Sequence, residues 1–356
     1  MSEDRTRCLL VGLGAMGRGL IRFLEHKPSF EPVGVVDVRE QALAEAQPAL
    51  HLPDEALFRD LGEALSATAP DAAIINTPSE LHYEQSKAAL EAGAHVLVAK
   101  PVTQDFDEAA ELVELAADRS LTLSVGQQMR YNRHYTAVAR FVASGAIGTP
   151  EAAWLLNSKP RPNAAALADL AHPALLDNAP HHFDSLLAVF PGRVPEWIAC
   201  DGFRPSWSPY AGPCMVNALI RFSGGLHVSY HGGFSARAPM YEFRIEGTNG
   251  ALRCRGLHMS NDLMSYEFAE PLGHFEAAEI DKDVPVNNPW VRFLDAWHDY
   301  VRSGEEPAGP EPVEGPPFSG RNNLKVMAMV CAAIESVDTG QPVDIAANPR
   351  YAAAFV

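Results

Sequence analysis

Gly12-Leu13-Gly14-Ala15-Met16-Gly17 follows the aliphatic run Cys8–Val11, and Asp37 closes a second aliphatic run twenty residues after Gly17. Each part has a mechanical reason. Gly12 permits a tight turn, Gly14 lets backbone approach a pyrophosphate, and Gly17 allows close contact between helix and strand. The helix that follows offers unpaired N–H groups and a positive partial charge to phosphates. An ordinary glycine-rich turn is the bland alternative, but strand, helix and acidic residue all stand in register for a dinucleotide site. Asp37 also suits a helix cap, a role compatible with accepting ribose hydroxyls. A carboxylate there repels a 2′-phosphate, so NAD is favoured, while Arg39 can soften that preference and leaves NADP possible.

Outward from this loop, short aliphatic runs alternate with helical spacing as far as Val125. Strands are predicted at Cys8–Val11, Val33–Val36, Ala72–Ile75, His95–Ala99 and Thr122–Val125, with helices over Met16–His26, Arg39–Gln47, Ser79–Ala92 and Asp105–Asp118. Nearly unbroken aliphatic strands fit a parallel sheet covered by helices on both faces. A helix over Asn132–Ser144 precedes a change of texture. The runs Ala152–Leu156, Trp197–Cys200, Val216–Phe222, Leu226–His231, Tyr241–Ile245 and Ala251–Cys254, with turn residues between them, predict an antiparallel sheet. Late helices are expected over Pro289–Arg302 and Asn322–Thr339, with Gly304–Gly320 as an extended loop. The domains are read as 1–126 for the dinucleotide, with a late helix at 320–340 packing back on it, and 127–356 for substrate and oligomerisation.

The composition narrows the function. The chain has 356 residues, with 47% hydrophobic and 21% charged, which is globular rather than disordered. Its 28 basic and 45 acidic residues leave a net charge of −17, the wrong sign for nucleic acid or an anionic membrane surface. No run reaches the ~20 apolar residues of a membrane span, and Met1–Arg7 lacks the pattern of a secretory signal. Five scattered cysteines without Cys-x-x-Cys spacing suggest reduced thiols in a cytoplasm, and no metal site is expected.

Two further stretches carry chemistry. Asn76-Thr77-Pro78 and Ala99-Lys100-Pro101 follow strands, at the edge where open α/β sheets bind ligands. Thr77-Pro78 also suits a plain helix start, and Lys100 a plain loop lysine. In Leu176–Asp184, the residues Asp177, His181 and Asp184 fall four and three apart, so a helix would place an imidazole and two carboxylates on one face. That is an acid/base arrangement. A capped helix with incidental histidines, or a metal site, remains open on these residues alone. Pro180 opposes a continuous helix from Leu176 and would let it begin near His181.

These motifs, in this order, resemble the glucose–fructose oxidoreductase/inositol dehydrogenase (Gfo/Idh/MocA) family. The resemblance rests on Gly12–Gly17 with Asp37, Thr77-Pro78 with Leu81-His82, Lys100-Pro101, and the Asp-x-x-x-His-x-x-Asp of Asp177–Asp184. Gln128–Tyr131, Tyr241–Leu252 and Phe293–Gly304 extend it over most of the chain. It implies an α/β fold: an N-terminal Rossmann domain and a C-terminal α+β domain with a large open, mainly antiparallel sheet that makes dimer or tetramer contacts. It further implies catalysis at the seam of the two domains on a small-molecule polyol: a sugar, a sugar derivative or an inositol. Cofactor contacts are expected at Gly12, Gly14, Ala15, Met16, Gly17, Asp37, Val38, Arg39, Asn76, Thr77, Pro78, Leu81, His82, Lys100, Pro101 and Gln128. Lys100, His181 and Asp177 are the expected catalytic groups. Arg130, Tyr131, Asn157, Lys159, His182 and Tyr241 join those three as candidate substrate contacts. The chain departs from the family pattern where Ala99 replaces the usual Glu before the lysine, and where Ala179 and Pro180 replace the approach to His181. A glycoside-cleaving enzyme using transient oxidation on retained NAD, and a non-catalytic dinucleotide sensor, are the alternative functions.

Overall fold

The computed structural model describes residues 5–163, 165–258, 264–280, 289–305 and 318–356. In chain order the elements are β1 (Thr6–Val11), α1 (Ala15–Leu24), β2 (Phe30–Val36), α2 (Glu40–Leu50), β3 (Leu57–Phe58), α3 (Leu61–Thr68), β4 (Ala72–Ile75), α4 (His82–Glu91), β5 (His95–Val98), α5 (Phe106–Asp118) and β6 (Leu123–Val125). Then come α6 (Arg133–Ala143), β7 (Pro150–Ser158), α7 (Ala179–Val189), β8 (Pro195–Phe203), β9 (Met215–Phe222), β10 (Leu226–Gly233), β11 (Met240–Gly247), β12 (Gly250–Gly256), β13 (Ser265–Ala269) and β14 (Glu276–Ala277). The chain continues with α8 (Pro289–Ser303), α9 (Gly320–Thr339), β15 (Val343–Asp344) and α10 (Pro349–Ala352).

These elements form two compact units. The first holds the chain up to Gln128 with the described parts of 287–308 and 315–324; the second holds the described parts of 129–286 and the chain from Lys325 on. α8 thus falls with the first unit, where Trp297 stacks on Phe30 at 5.6 Å and Thr6 Oγ1 meets His298 Nδ1 at 2.8 Å. Of the helix expected at 320–340, the residues up to Leu324 group with the first unit and the remainder with the second. Most of the loop expected at Gly304–Gly320, residues 306–317, lies outside the described residues.

The first unit is a parallel sheet in the order β3-β2-β1-β4-β5-β6. Its central strands are mostly buried, as Leu9, Leu10, Ile74, Ile75, Val96 and Val98 illustrate. The order reverses between β1 and β4, and the crevice beyond their carboxyl ends is where such sheets bind ligands. The aliphatic runs marked five of its strands. They missed β3 and α3, because a two-residue strand has no period to read.

The second unit is a nine-stranded sheet in the order β14-β13-β12-β11-β7-β10-β9-β8-β15. It is mixed rather than purely antiparallel, since β7 and β10 run parallel at its centre and every other pair is antiparallel. α6 and α7 cover one face, with Phe183 edge-on to Tyr230 at 5.2 Å and Phe190 edge-on to Phe243 at 6.3 Å. The opposite face leaves Trp154 and Leu219 exposed.

Candidate active site

In the first unit the glycine loop leaves β1 and enters α1. Gly12 has φ +85°, and a Cβ there would lie 2.7 Å from the Thr77 backbone N. A Cβ on Gly17 would lie 2.2 Å from the Gly12 carbonyl oxygen. Both glycines are therefore needed by the fold itself. Gly14 differs: a Cβ there meets nothing within 4 Å. It is also the N-cap of α1 and supplies no capping side chain, so the N–H groups near Ala15 and Met16 are left for an outside acceptor. This cradle fits a dinucleotide pyrophosphate.

Asp37 is buried beside the loop. Leu13 N–H donates to its Oδ2 at 2.8 Å, and Arg39 donates to it from backbone N–H, Nε and Nη2, each at 2.9 Å. Burial acts to raise its pKa but is outweighed by the hydrogen bonds from Arg39 and Leu13, so the carboxyl sits below its ordinary value. Among the described residues of the first unit, the exposed large apolar side chains are Met16 (47%), Val38 (71%) and Leu81 (44%). All three belong to the expected cofactor set. Exposed apolar surface confined to one edge of a sheet marks a binding face rather than chance.

Asn76 follows β4, and its Nδ2 is buried with no hydrogen-bond partner. Gln128 Oε1 is likewise buried and unmatched. His82 is an interior clamp rather than a surface contact. Its ring is buried, with Nδ1 2.7 Å from the Pro101 carbonyl and Nε2 2.9 Å from the Thr77 carbonyl, so it ties the Thr77-Pro78 loop to the Lys100-Pro101 loop. Burial lowers its pKa more than those contacts raise it. Thr77 Oγ1 donates to Gln85, and Lys100, half-buried, precedes a cis peptide to Pro101.

In the second unit a π-helical turn, Ala174–Asn178, runs into α7. The helix begins at Ala179, two residues before the expected start. Pro180 lies in its first turn, where a missing N–H costs nothing. From Pro173 to Leu186 every residue is buried except Asp177 and His181, which are half-buried. Partial exposure is therefore shared by that pair and not by Asp184. Asp184 points inward, where Arg130 Nε and Nη2 donate to its oxygens at 2.7 to 2.8 Å. Burial pushes the Asp184 carboxyl up against the opposing pull of Arg130.

Four expected substrate contacts are interior groups on the same evidence. Arg130 is committed to Asp184. Tyr241 is buried, with its hydroxyl 3.0 Å from His134 Nε2. Asn157 and His182 are fully buried and bonded to each other at 2.9 Å; His182 Nδ1 meets the Tyr230 hydroxyl at 2.8 Å. Tyr131 is buried too, whereas Lys159 is half-buried just beyond β7. Polar residues near a catalytic motif invite assignment to the ligand, yet interior networks need the same residue types. One group went unmarked in the sequence: Arg161, whose Nη1 pairs with Asp177 Oδ2.

Among the described residues no group of three or more His, Cys, Asp or Glu side chains is placed to hold a metal ion, and no helix is long and apolar enough to cross a membrane. All five cysteines are buried and none is in a disulfide. Burial pushes the Cys8 and Cys200 thiols up to about 12, which leaves them inert.

Comparison with known proteins agrees with this anatomy. The family profile described as "Oxidoreductase family, NAD-binding Rossmann fold" matches residues 6–127, and the "GFO/IDH/MocA C-terminal domain" profile matches residues 135–253. The chain is 26% identical over 355 residues to an inositol 2-dehydrogenase of Mycolicibacterium gilvum, covering 95% of this chain and 93% of that one. An oxidoreductase of Agrobacterium radiobacter, solved with NAD+, L-tartaric acid and magnesium, superposes with a TM-score of 0.80 at 19% identity over 96% of this chain and 99% of that one. The WlbA dehydrogenase of Bordetella pertussis, solved with NADH and UDP-GlcNAcA, gives a TM-score of 0.78 at 21% identity over 96% and 98%. At these identities the solved structures speak for the fold.

Proposed function

The chain belongs to the Gfo/Idh/MocA oxidoreductase family, and from that premise we propose that it oxidises a secondary hydroxyl of a sugar, sugar derivative or inositol with NAD as acceptor. The observation that carries the cofactor half is the open cradle at Gly14, flanked by Asp37 and by exposed Met16, Val38 and Leu81. The N–H groups at the start of α1 would hold the pyrophosphate, and Asp37 the adenosine ribose. Asn76, Thr77, Pro78 and Gln128 would meet the rest of the cofactor. Bound NAD supplies the hydride-accepting chemistry.

The chain's own residues handle the proton. His181 takes it from the reacting hydroxyl, and Lys100 hydrogen-bonds that oxygen and stabilises its developing negative charge. Asp177 orients His181 or binds a neighbouring hydroxyl, and Lys159 serves as a further substrate contact. The buried Asp37 carboxylate supports a preference for NAD over NADP, since its charge would repel a 2′-phosphate. Arg39 tempers that preference by already neutralising the carboxylate. The exposed sheet face bearing Trp154 and Leu219 supports a homodimer or homotetramer, and the buried thiols, none in a disulfide, support residence in the cytoplasm. A panel of sugars and inositols, followed at the NADH absorbance with NAD and NADP in parallel, tests the reading. Reduction of NAD by at least one polyol is expected; silence across the panel with both cofactors, in a protein that binds NADH, would overturn it.

A further inference from the structure

We infer that the polyol carries an anionic group, a carboxylate or a phosphoryl, and that Arg161 receives it; this deepens the polyol-oxidation reading and rests on it. Arg161 is built in from several directions. Pro160 and Pro162 flank it and restrict its backbone. Its N–H donates to the Phe234 carbonyl at 2.9 Å, and its own carbonyl accepts from the Tyr210 hydroxyl at 2.8 Å. The guanidinium lies 5.0 Å from the centre of the Phe234 ring and gives one nitrogen, Nη1, to Asp177.

That single-nitrogen contact leaves most of a five-donor fork unspent. Among the described residues Asp177 is the one carboxylate paired with it, and the side chain keeps 35% of its surface against 20% for Asp177. Arginine–carboxylate pairs are frequently bidentate, and this one engages through Nη1. Here the partner fixes the cation and its outer edge faces solvent. Lys159 lies two positions earlier in the chain, half-buried, and its N–H donates to the Gly233 carbonyl at 2.8 Å. A guanidinium held on the carboxylate proposed to act in catalysis stands out in a chain of net charge −17. A pre-positioned guanidinium binds a carboxylate or phosphoryl group without an ordering cost.

The test compares D-glucose with D-glucuronate and with D-glucose 6-phosphate, and myo-inositol with its monophosphate. Binding to the NADH-loaded protein is measured by calorimetry, and kcat/KM is measured where turnover occurs. At least one acid is expected to bind about tenfold or more tighter than its neutral partner, and the two acid arms separate carboxylate from phosphoryl recognition. R161Q is expected to lower affinity for the acid by about 10- to 100-fold more than for the neutral partner. R161K, a point charge on the same stem, should recover part of the phosphate affinity and less of the carboxylate affinity. Thermal unfolding of both variants checks that they fold; if R161Q does not, R161K carries the comparison. Equal binding of acid and neutral partner in every pair, no binding of any acid, or equal losses for both partners in the variants would overturn the inference. Acid binding through Arg161 without oxidation of any polyol would instead defeat only the dehydrogenase reading.

Discussion

The two candidate sites are built by opposite means. The cradle at the carboxyl ends of β1 and β4 is made by leaving side chains out: Gly12 and Gly17 make room for backbone, and Gly14 makes room for a ligand. The candidate site at the head of α7 is made by tying side chains down, with Arg130 on Asp184, Asn157 on His182 and Arg161 on Asp177. A backbone site is sensitive to added bulk. A side-chain site is sensitive to lost partners.

The largest effect is expected from breaking the buried pair under α7. Asp184→Ala strands the Arg130 guanidinium in the interior and should destabilise the second unit by about 3–5 kcal/mol, read by urea unfolding. A loss below about 1 kcal/mol would mean the pair is more solvated than its burial indicates. The glycines sharpen the contrast. Gly17→Ala, with its Cβ 2.2 Å from a carbonyl oxygen, should cost about 1–3 kcal/mol. Gly14→Ala should leave stability nearly unchanged while weakening NADH binding about tenfold or more, measured by NADH fluorescence titration; a loss of stability without a loss of binding would reverse the distinction.

Per pH unit, protonation has a smaller effect. His134 is fully buried between Tyr241 and Tyr266, and burial holds its pKa at about 3 against an ordinary 6.5. The folded ring stays neutral while the unfolded one takes a proton below pH 6.5. Its contribution is therefore complete above that pH and is lost progressively as pH falls towards 3, at up to about 1.4 kcal/mol per pH unit. His134→Leu should flatten that part of the stability profile, and an unchanged slope would show that other groups set it. The subtlest change is expected at the cofactor edge. Asp37→Asn should move the NAD to NADP ratio of kcat/KM towards NADP by about tenfold, with Arg39→Ala moving it the other way.

The same contrast explains what the sequence made readable. Backbone chemistry demands glycine at fixed local spacing, so Gly12–Gly17, Asp37 and the strands around them could be placed from periodicity alone. The strand order and the mixed second sheet follow from long-range pairing of β7 with β10, which no local pattern records. The four-residue spacing of Asp177 and His181 singled out a pair that is half-buried in an otherwise buried stretch. Arg130, Asn157, His182 and Tyr241 read as candidate substrate contacts because their residue types are polar. Their partners Asp184, Asn178, Tyr230 and His134 come mostly from distant segments, so burial could not be inferred. Arg161 was hidden for the same reason, although two flanking prolines marked a stiffened cation.

The most direct test of the central claim is turnover by His181→Ala and Lys100→Met with the best polyol found in the NAD-reduction panel, after confirming that each variant folds and binds NADH. The account predicts at least a ~100-fold fall in kcat for each, as expected for loss of a proton-handling group. Turnover close to that of the unmodified protein in either variant would contradict it.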